Sequence, residues 1–239
     1  MNQFHSIRRS VRNSPEKQFF LLSAFWFILI VLLGFGNSFY FRTSPKPLDI
    51  NLLLHGSLFT IWILFYLTQN ILIASRNINL HMLLGKIGVA LILLVFISSY
   101  YTILYKMSLG NKPFLEAASN LFQIGLGVGA VMISIVYRNR PYFHKRFMFA
   151  ALVFLTSAGI QRACANLGFA PDSSLVTWLY FAPLIALFLF DLALFKKFTF
   201  LSLGLLLFAF LLYYFRVYRI FDTPFGHSVM DLLTKLFIW

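Results

Sequence analysis

The chain has 239 residues, of which 60% are hydrophobic, 19% aromatic and only 11% charged. Soluble domains carry about 25% charged residues, so the composition argues against a soluble enzyme, a nucleic-acid-binding module, a disordered chain or a secreted disulfide scaffold. The net charge of +13 is more typical, in so apolar a chain, of lysine and arginine at the cytoplasmic ends of membrane helices. A single cysteine, Cys164, cannot form an internal disulfide. We therefore expect a protein whose main partner is the lipid bilayer, not nucleic acid.

Seven apolar segments are predicted to cross the membrane, because about 20 apolar residues span a hydrocarbon core of about 30 Å. The predicted fold class is an all-α, polytopic bundle of seven transmembrane helices. Its predicted divisions are a basic N-terminal segment (1–18), the transmembrane domain (19–217) and an amphipathic C-terminal segment (218–239). The predicted spans, in chain order, cover about 18–41, 50–75, 82–105, 113–137, 146–168, 174–195 and 198–215.

Lysine and arginine are distributed unequally between the two sides of this bundle. With the N-terminus inside, twelve of the twenty basic residues lie on the cytoplasmic side and eight on the outer side. The positive-inside rule therefore predicts an N-in, C-out orientation. The outer set is Arg42, Lys46, Lys106, Lys112, Arg162, Arg216, Arg219 and Lys235.

The end of the chain predicts a short helix at the membrane surface. Asp222 or Thr223, just before Pro224, resembles a helix start. The following apolar residues recur at helical spacing, as in an amphipathic interfacial helix; a disordered tail is the alternative. These apolar residues are Phe225, Val229, Leu232, Leu233, Leu236 and Trp239.

Two histidines open predicted spans on the cytoplasmic side. His81 and His144 could ligate a haem b iron from neighbouring helices, with Lys86 and Arg146 pairing its propionates. Lys86 and Arg146 lie deeper along their helices than the histidines, which favours the simpler alternative of histidines at the membrane interface. No HxxxH motif or carboxylate–histidine cluster indicates a metal site, and no catalytic residue is predicted.

A second group of polar residues is predicted toward the outer side. His55, Trp62 and Gln69 are spaced by seven residues and so share one stripe of their helix. With Asn120, Gln123 and Arg162 they define a candidate ligand pocket; Glu116 is the nearest predicted counter-ion for Arg162. The alternatives are hydrogen bonding between helices and an arginine that reaches to the interface.

Two further features predict packing. Asp191 lies near the inner end of the sixth span, and we expect a structural ion pair with Lys86, Arg146 or Lys196. Gly125 and Gly129, with Gly127 and Ala130 beside them, form a face of small residues that allows close helix approach.

The run His55…Trp62…Gln69…Leu80-His81-x-x-Leu84-Gly85, followed by His144-Lys145-Arg146-Phe147-Met148 and Arg162, resembles a group of bacterial multi-pass membrane proteins without an assigned function. Their motifs are of the HR-x-LG and HKR-x-M types, and Met82 replaces the arginine of the first. The resemblance covers about half of the chain. It implies a bacterial inner-membrane location and singles out His55, His81, His144 and Arg162, without implying a reaction.

The sequence leaves three functions open. The leading hypothesis is electron transfer with haem or quinone bound at the inner-face histidines. The second is a transporter or receptor for a small ligand, which would use the outer polar pocket. The third is a structural subunit of a membrane complex.

Overall fold

A computed structural model describes residues 14–42, 45, 47–170, 173–217 and 221–238. Within these ranges the chain is all helical, with no strand, and helix accounts for 85% of it. The predicted basic residues at positions 8, 9, 12, 46 and 219, and the C-terminal tryptophan, lie outside the described residues. The all-α fold class is confirmed.

Nine α-helices follow one another along the described chain, and a π-helical turn, Gly36–Tyr40, directly extends the first. The helices are α1 (Pro15–Phe35), α2 (Ile50–Ala74), α3 (Ile78–Ser108), α4 (Phe114–Val136), α5 (Pro141–Leu155), α6 (Ser157–Asn166), α7 (Ser174–Phe195), α8 (Phe200–Val217) and α9 (Pro224–Ile238).

Short polar residues begin the first three helices. The Ser14 side chain accepts a hydrogen bond from the Lys17 amide, and Asp49 accepts one from the Asn51 amide. Asn77 does the same for α3. Each side chain satisfies a backbone N–H that has no partner inside its helix, and so fixes where that helix starts.

Among the described residues, five helices are long and apolar enough to cross a membrane: α1 with its π-helical turn, α2, α3, α4 and α7. Helices α5 and α6 form a bent pair that raises the count to six if it is one span. The predicted seventh span corresponds to α8, whose apolar part, Phe200–Tyr214, is shorter than these. The structure thus indicates a multi-pass membrane protein, while seven spans and their orientation stay predictions.

The predicted fifth span is not one continuous helix. It starts at Pro141, breaks at Thr156 with a bend of 45°, and ends at Asn166. The Thr156 hydroxyl donates to the carbonyl of Leu152 at 2.7 Å, a back-bond that is known to bend helices. The prediction of a single helix over 146–168 is therefore wrong.

Helices α1 to α6 form a closed ring. Helix α1 packs against α2, α2 against α3, α3 against α4 and α4 against α5, and α6 returns to pack against α1. Helices α7 and α8 pack on the outside of α5 and α6. Closure of the ring brings polar residues from separate helices to its interior.

Two glycines bring ring helices into close contact. A Cβ atom at Gly34 would lie 2.4 Å from the carbonyl oxygen of Gly159, so α1 and α6 touch through their backbones. A Cβ atom at Gly127 would lie 2.6 Å from Cγ of Leu155, across the α4–α5 contact. The close contact of α4 therefore lies at Gly127. It does not lie at Gly129 of the predicted small-residue face, where a Cβ would meet nothing within 4 Å.

Helix α9 packs on α3, and Thr223 caps it by accepting from the Gly226 amide at 3.1 Å. Its buried residue is Met230, which packs with Leu104 and Leu121 beneath Leu233 and Phe237. The predicted apolar face is only partly right, because most of its described members remain exposed. Among them are Phe225 (79%), Leu232 (57%) and Leu236 (66%).

Candidate functional site

In the part of the chain that the structure describes, the ring helices line two cavities, one near each end of the ring. The first, here called the paired-histidine cavity, has a volume of about 230 Å³ and contains His81 and His144. The second, here called the cationic cavity, has a volume of about 290 Å³ and contains His55 and Arg162. The start of α1 lines the first cavity and its end lines the second, with the reverse for α2.

An apolar layer separates the two cavities. At helical spacing between the residues that line them lie Ala24 and Phe27 of α1 and Ile92 and Val95 of α3, each no more than 1% exposed. In α2, Trp62 lines the paired-histidine cavity and Phe59 the cationic cavity. The ring is therefore closed in its middle.

The paired-histidine cavity takes its name from two imidazoles that face each other from α3 and α5. The ring centres of His81 and His144 are 6.3 Å apart, and their planes are nearly perpendicular at 84°. Neither pair member lies on the surface; both side chains line the cavity and are partly buried. The structure brings together the two histidines that the sequence predicted as partners.

Ser134 of α4 orients His144. Its carbonyl oxygen lies 2.9 Å from His144 Nδ1, and since a carbonyl can only accept, Nδ1 is the donor. The Ser134 hydroxyl donates to the His144 carbonyl at 2.9 Å. A neutral His144 therefore keeps its proton on Nδ1 and presents an unprotonated Nε2, the form that ligates metals.

Several polar atoms of this cavity are buried without a partner among the described residues. They are Trp62 Nε1, both amide atoms of Gln69 and Nδ1 of His81. Buried polar groups are nearly always hydrogen-bonded. The cavity therefore offers hydrogen bonds that the chain itself does not use, within apolar walls formed by Phe20, Phe65, Tyr66 and Met148.

The predicted propionate partners, Lys86 and Arg146, do not line this cavity. Lys86 is exposed, and Arg146 is paired with Asp191 outside this cavity. The cations that do line it are Lys17 and Lys145, and Lys145 Nζ lies 2.6 Å from a carboxylate oxygen of Glu16. Those two lysines replace the predicted pair, because Lys86, five residues beyond His81, is exposed, and Arg146, two residues beyond His144, is paired with Asp191.

Arg146 belongs to a buried ion cluster that joins α1, α5 and α7. It is 0% exposed and pairs through two nitrogens with Asp191, also 0% exposed; the Nε–Oδ2 distance is 2.8 Å. Its third nitrogen lies 3.2 Å from Glu16 and donates to the carbonyl of Tyr142. The predicted structural ion pair of Asp191 is confirmed, with Arg146 as its partner.

The cationic cavity contains three of the six predicted pocket residues: His55, Asn120 and Arg162. Trp62 and Gln69 line the paired-histidine cavity instead, and Gln123 lines neither. The predicted stripe of α2 does face the interior, but the apolar layer divides it between two cavities.

Three cations of the cationic cavity were not assigned to a site from the sequence: Arg42, Lys106 and Lys112. The signal was present, since all three belong to the basic residues predicted on the same side as Arg162. They had been interpreted only as markers of orientation.

The polar side chains of this cavity are held from several directions. His55 Nδ1 lies 3.3 Å from the Ser99 hydroxyl, and the guanidinium of Arg162 lies 4.9 Å from the ring centre of Phe35. Glu116 pairs with Lys112 at 2.5 Å. The prediction that Glu116 neutralises Arg162 is therefore wrong, because Lys112 is one helical turn away from it.

Neither cavity has the donor set of a simple metal centre, since the described residues contain no group of three or more histidine, cysteine or carboxylate side chains. No protein-family model, curated protein or solved structure matches the chain. The function has to be argued from the two cavities themselves.

Proposed function

We propose that the chain is a membrane electron-transfer protein that holds a haem between His81 and His144. The observation that carries the proposal is the 6.3 Å separation of their ring centres. Imidazole nitrogens are common protein ligands of haem iron, and these two histidines would hold it from the neighbouring helices α3 and α5.

The surroundings of the two histidines fit such a group. Ser134 fixes the His144 tautomer that leaves Nε2 as the ligand. One turn along α3 from His81, Gly85 lines the cavity, and a Cβ there would meet nothing within 4 Å. The α3 backbone would leave room there for a flat macrocycle, and Lys17 would supply a cation for its propionates, since Lys145 is already paired with Glu16.

In this proposal the haem supplies one-electron transfer, and the chain supplies the ligands and a site shielded from water. The aromatic walls exclude water and lower the local polarity, which tunes the redox potential of a bound haem. No covalent step and no further catalytic residue is required.

An optical spectrum tests the proposal directly. The protein would be expressed with ample haem supply and purified in mild detergent, and we expect a Soret band with about one haem per chain. His81→Ala and His144→Ala should each abolish or strongly shift the band, while His55→Ala, in the other cavity, should leave it unchanged. A purified, folded protein without a Soret band contradicts the proposal, as does a band that survives both substitutions.

Quinone binding is a second candidate, favoured by the unpartnered donors of Trp62 and Gln69. A quinone carbonyl accepts hydrogen bonds from such donors while its ring lies against aromatic walls. Organic extraction of the purified protein should then yield about one quinone per chain, and less from Trp62→Phe and Gln69→Leu. Equal quinone content in those variants contradicts this candidate.

We further propose the topology that the charge distribution supports: seven spans in a bacterial inner membrane, N-terminus inside, with α9 at the outer interface. The exposed apolar face of α9 supports an interfacial position. This topology places the paired-histidine cavity toward the cytoplasm and the cationic cavity outward. Single cysteines at Arg138 and Lys112, in a Cys164→Ser background, should react with an impermeant thiol reagent only from the inside and the outside, respectively.

A further inference from the structure

We propose that the cationic cavity is a binding site for a phosphate group, independent of any haem or quinone in the other cavity. The ligand is either a small phosphate anion or a lipid whose headgroup is a phosphate monoester. The proposal rests on the charge of the cationic cavity and on polar side chains in it that have no partner among the described residues.

The charge of the cavity is strongly unbalanced. Arg42, Lys106, Lys112 and Arg162 line it, and no carboxylate does. Glu116 compensates Lys112, but among the residues that the structure describes, neither Lys106 nor Arg162 has a carboxylate within 4.0 Å. Two positive charges thus face the same space of about 290 Å³ without an ionic partner from the described chain.

Unpartnered neutral donors provide an independent indication of a ligand. The Thr102 residue is 6% exposed, and its hydroxyl has no hydrogen-bond partner in the described part of the chain. Asn120 is 9% exposed and lines the same cavity; its amide likewise makes no hydrogen bond to a described residue. Buried polar groups are rarely left in this state, so the Thr102 hydroxyl points to a hydrogen-bonding occupant, and the Asn120 amide is a second group available to it.

A phosphate group matches this set of donors better than a carboxylate does. A phosphate monoester carries close to two negative charges at pH 7, with a second pKa of about 6, and so can balance Lys106 and Arg162 together. The planar guanidinium binds two phosphate oxygens at once. A monocarboxylate would leave one of the two cations unpaired.

Binding of radiolabelled inorganic phosphate, measured by equilibrium dialysis on the purified full-length protein, tests the site. We expect saturable binding near one phosphate per chain. Loss of one charge-assisted contact should weaken binding about tenfold to hundredfold in Arg162→Gln and Lys106→Gln. Thr102→Val should weaken it less, and Lys145→Gln, a cation of the other cavity, should not change it.

A second arm identifies the source of the phosphate. The protein would be reconstituted in phosphatidylcholine nanodiscs with and without phosphatidic acid, and its thermal unfolding compared. A rise in Tm with phosphatidic acid that Arg162→Gln removes shows that a lipid headgroup enters the cavity. Binding of free phosphate alone shows a soluble ligand; either result supports the proposal.

The proposal is overturned if neither free phosphate nor phosphatidic acid binds saturably, or if binding is the same in Arg162→Gln, Lys106→Gln and Thr102→Val as in the unchanged protein. Should one cation variant fail to fold, the other and the nearly isosteric Thr102→Val decide the question. His81→Ala should retain phosphate binding, so failure of the haem proposal and failure of this one are separable.

Discussion

Two arginines, sixteen residues apart on the broken helix α5–α6, face opposite environments. Arg146 is completely buried, binds Asp191 through two nitrogens and reaches Glu16 through the third. Arg162 is exposed within the cationic cavity, lies against Phe35, and has no carboxylate partner among the described residues. The same residue type therefore links three helices through ion pairs at one end of the ring, as Arg146, and carries a charge without a carboxylate partner among the described residues at the other, as Arg162.

The contrast follows from the cost of a buried charge. An ion that loses its water must gain a partner and hydrogen bonds that replace it, which is why Arg146 is surrounded by acceptors. Arg162 keeps access to water and does not need a protein partner. A charge that the chain leaves unpaired in a water-accessible cavity is available to a ligand, so the two ends of the ring differ in what they can bind.

The largest effect is expected from Asp191→Ala, which leaves the buried Arg146 with only the more distant Glu16 carboxylate, at 3.2 Å, as its ionic partner. Removal of one partner from a buried ion pair costs about 3–5 kcal/mol. Thermal or denaturant unfolding in detergent should show this loss. The double variant Arg146→Met with Asp191→Leu should recover much of it, because apolar replacements of both partners remove both buried charges. If Asp191→Ala were as stable as the unchanged protein, the contrast drawn between Arg146 and Arg162 would be wrong.

Gly34→Ala should disturb closure of the ring. The added Cβ would lie 2.4 Å from the carbonyl oxygen of Gly159, and overpacking of this kind typically costs about 1–3 kcal/mol. Gly129→Ala is the matched control, since its Cβ meets nothing within 4 Å and alanine favours helix by about 1 kcal/mol over glycine. Equal unfolding of the two variants would mean that α1 and α6 do not touch as described.

Ser134→Ala should have an intermediate effect that is confined to the paired-histidine cavity. It removes the hydroxyl that donates to the His144 carbonyl, at a cost of about 0.5–1.5 kcal/mol. If haem is bound, the Soret band should persist, because the backbone carbonyl of Ser134, which accepts from His144 Nδ1, is unchanged by the substitution. Ser108→Ala, at an exposed helix end, is the control. If Ser134→Ala unfolds like the unchanged protein, the Ser134 hydroxyl does not stabilise the contact between α4 and α5.

The sequence predicts the apolar helices well because their signal is local: long uncharged runs separated by basic loops. It also predicts that His81 and His144 are partners, since both open helices on one side. Their 6.3 Å separation depends on how α3, α4 and α5 pack, which no local pattern contains. The division of the α2 stripe between two cavities likewise depends on Phe27, Ile92 and Val95, which come from helices far apart in sequence.

Some errors had a signal that could have been used. Lys112 and Glu116 are four residues apart, a spacing that brings side chains together on one helix face, so their pairing was predictable. The break at Thr156 had a weaker signal, because a threonine in a helix bends it only when the hydroxyl bonds to the preceding turn. The docking of α9 through Met230 depends on the surface of α3 and could not be read from its own apolar residues.

The smallest effect on stability, and the sharpest test of the contrast, is expected from Arg162→Gln. Because Arg162 is exposed and has no carboxylate partner among the described residues, its replacement should change the unfolding free energy by no more than about 0.5 kcal/mol. Arg146→Gln leaves Asp191 buried without its cation and should cost several kcal/mol more in the same assay. A bound ligand adds stability that grows with its concentration. The unfolding free energies of the unchanged protein and of Arg162→Gln should therefore differ only when phosphate is added. If Arg162→Gln lowered the unfolding free energy as much as Arg146→Gln without any ligand, Arg162 would stabilise the fold as Arg146 does. The cationic cavity would then have no unpaired arginine to offer a ligand.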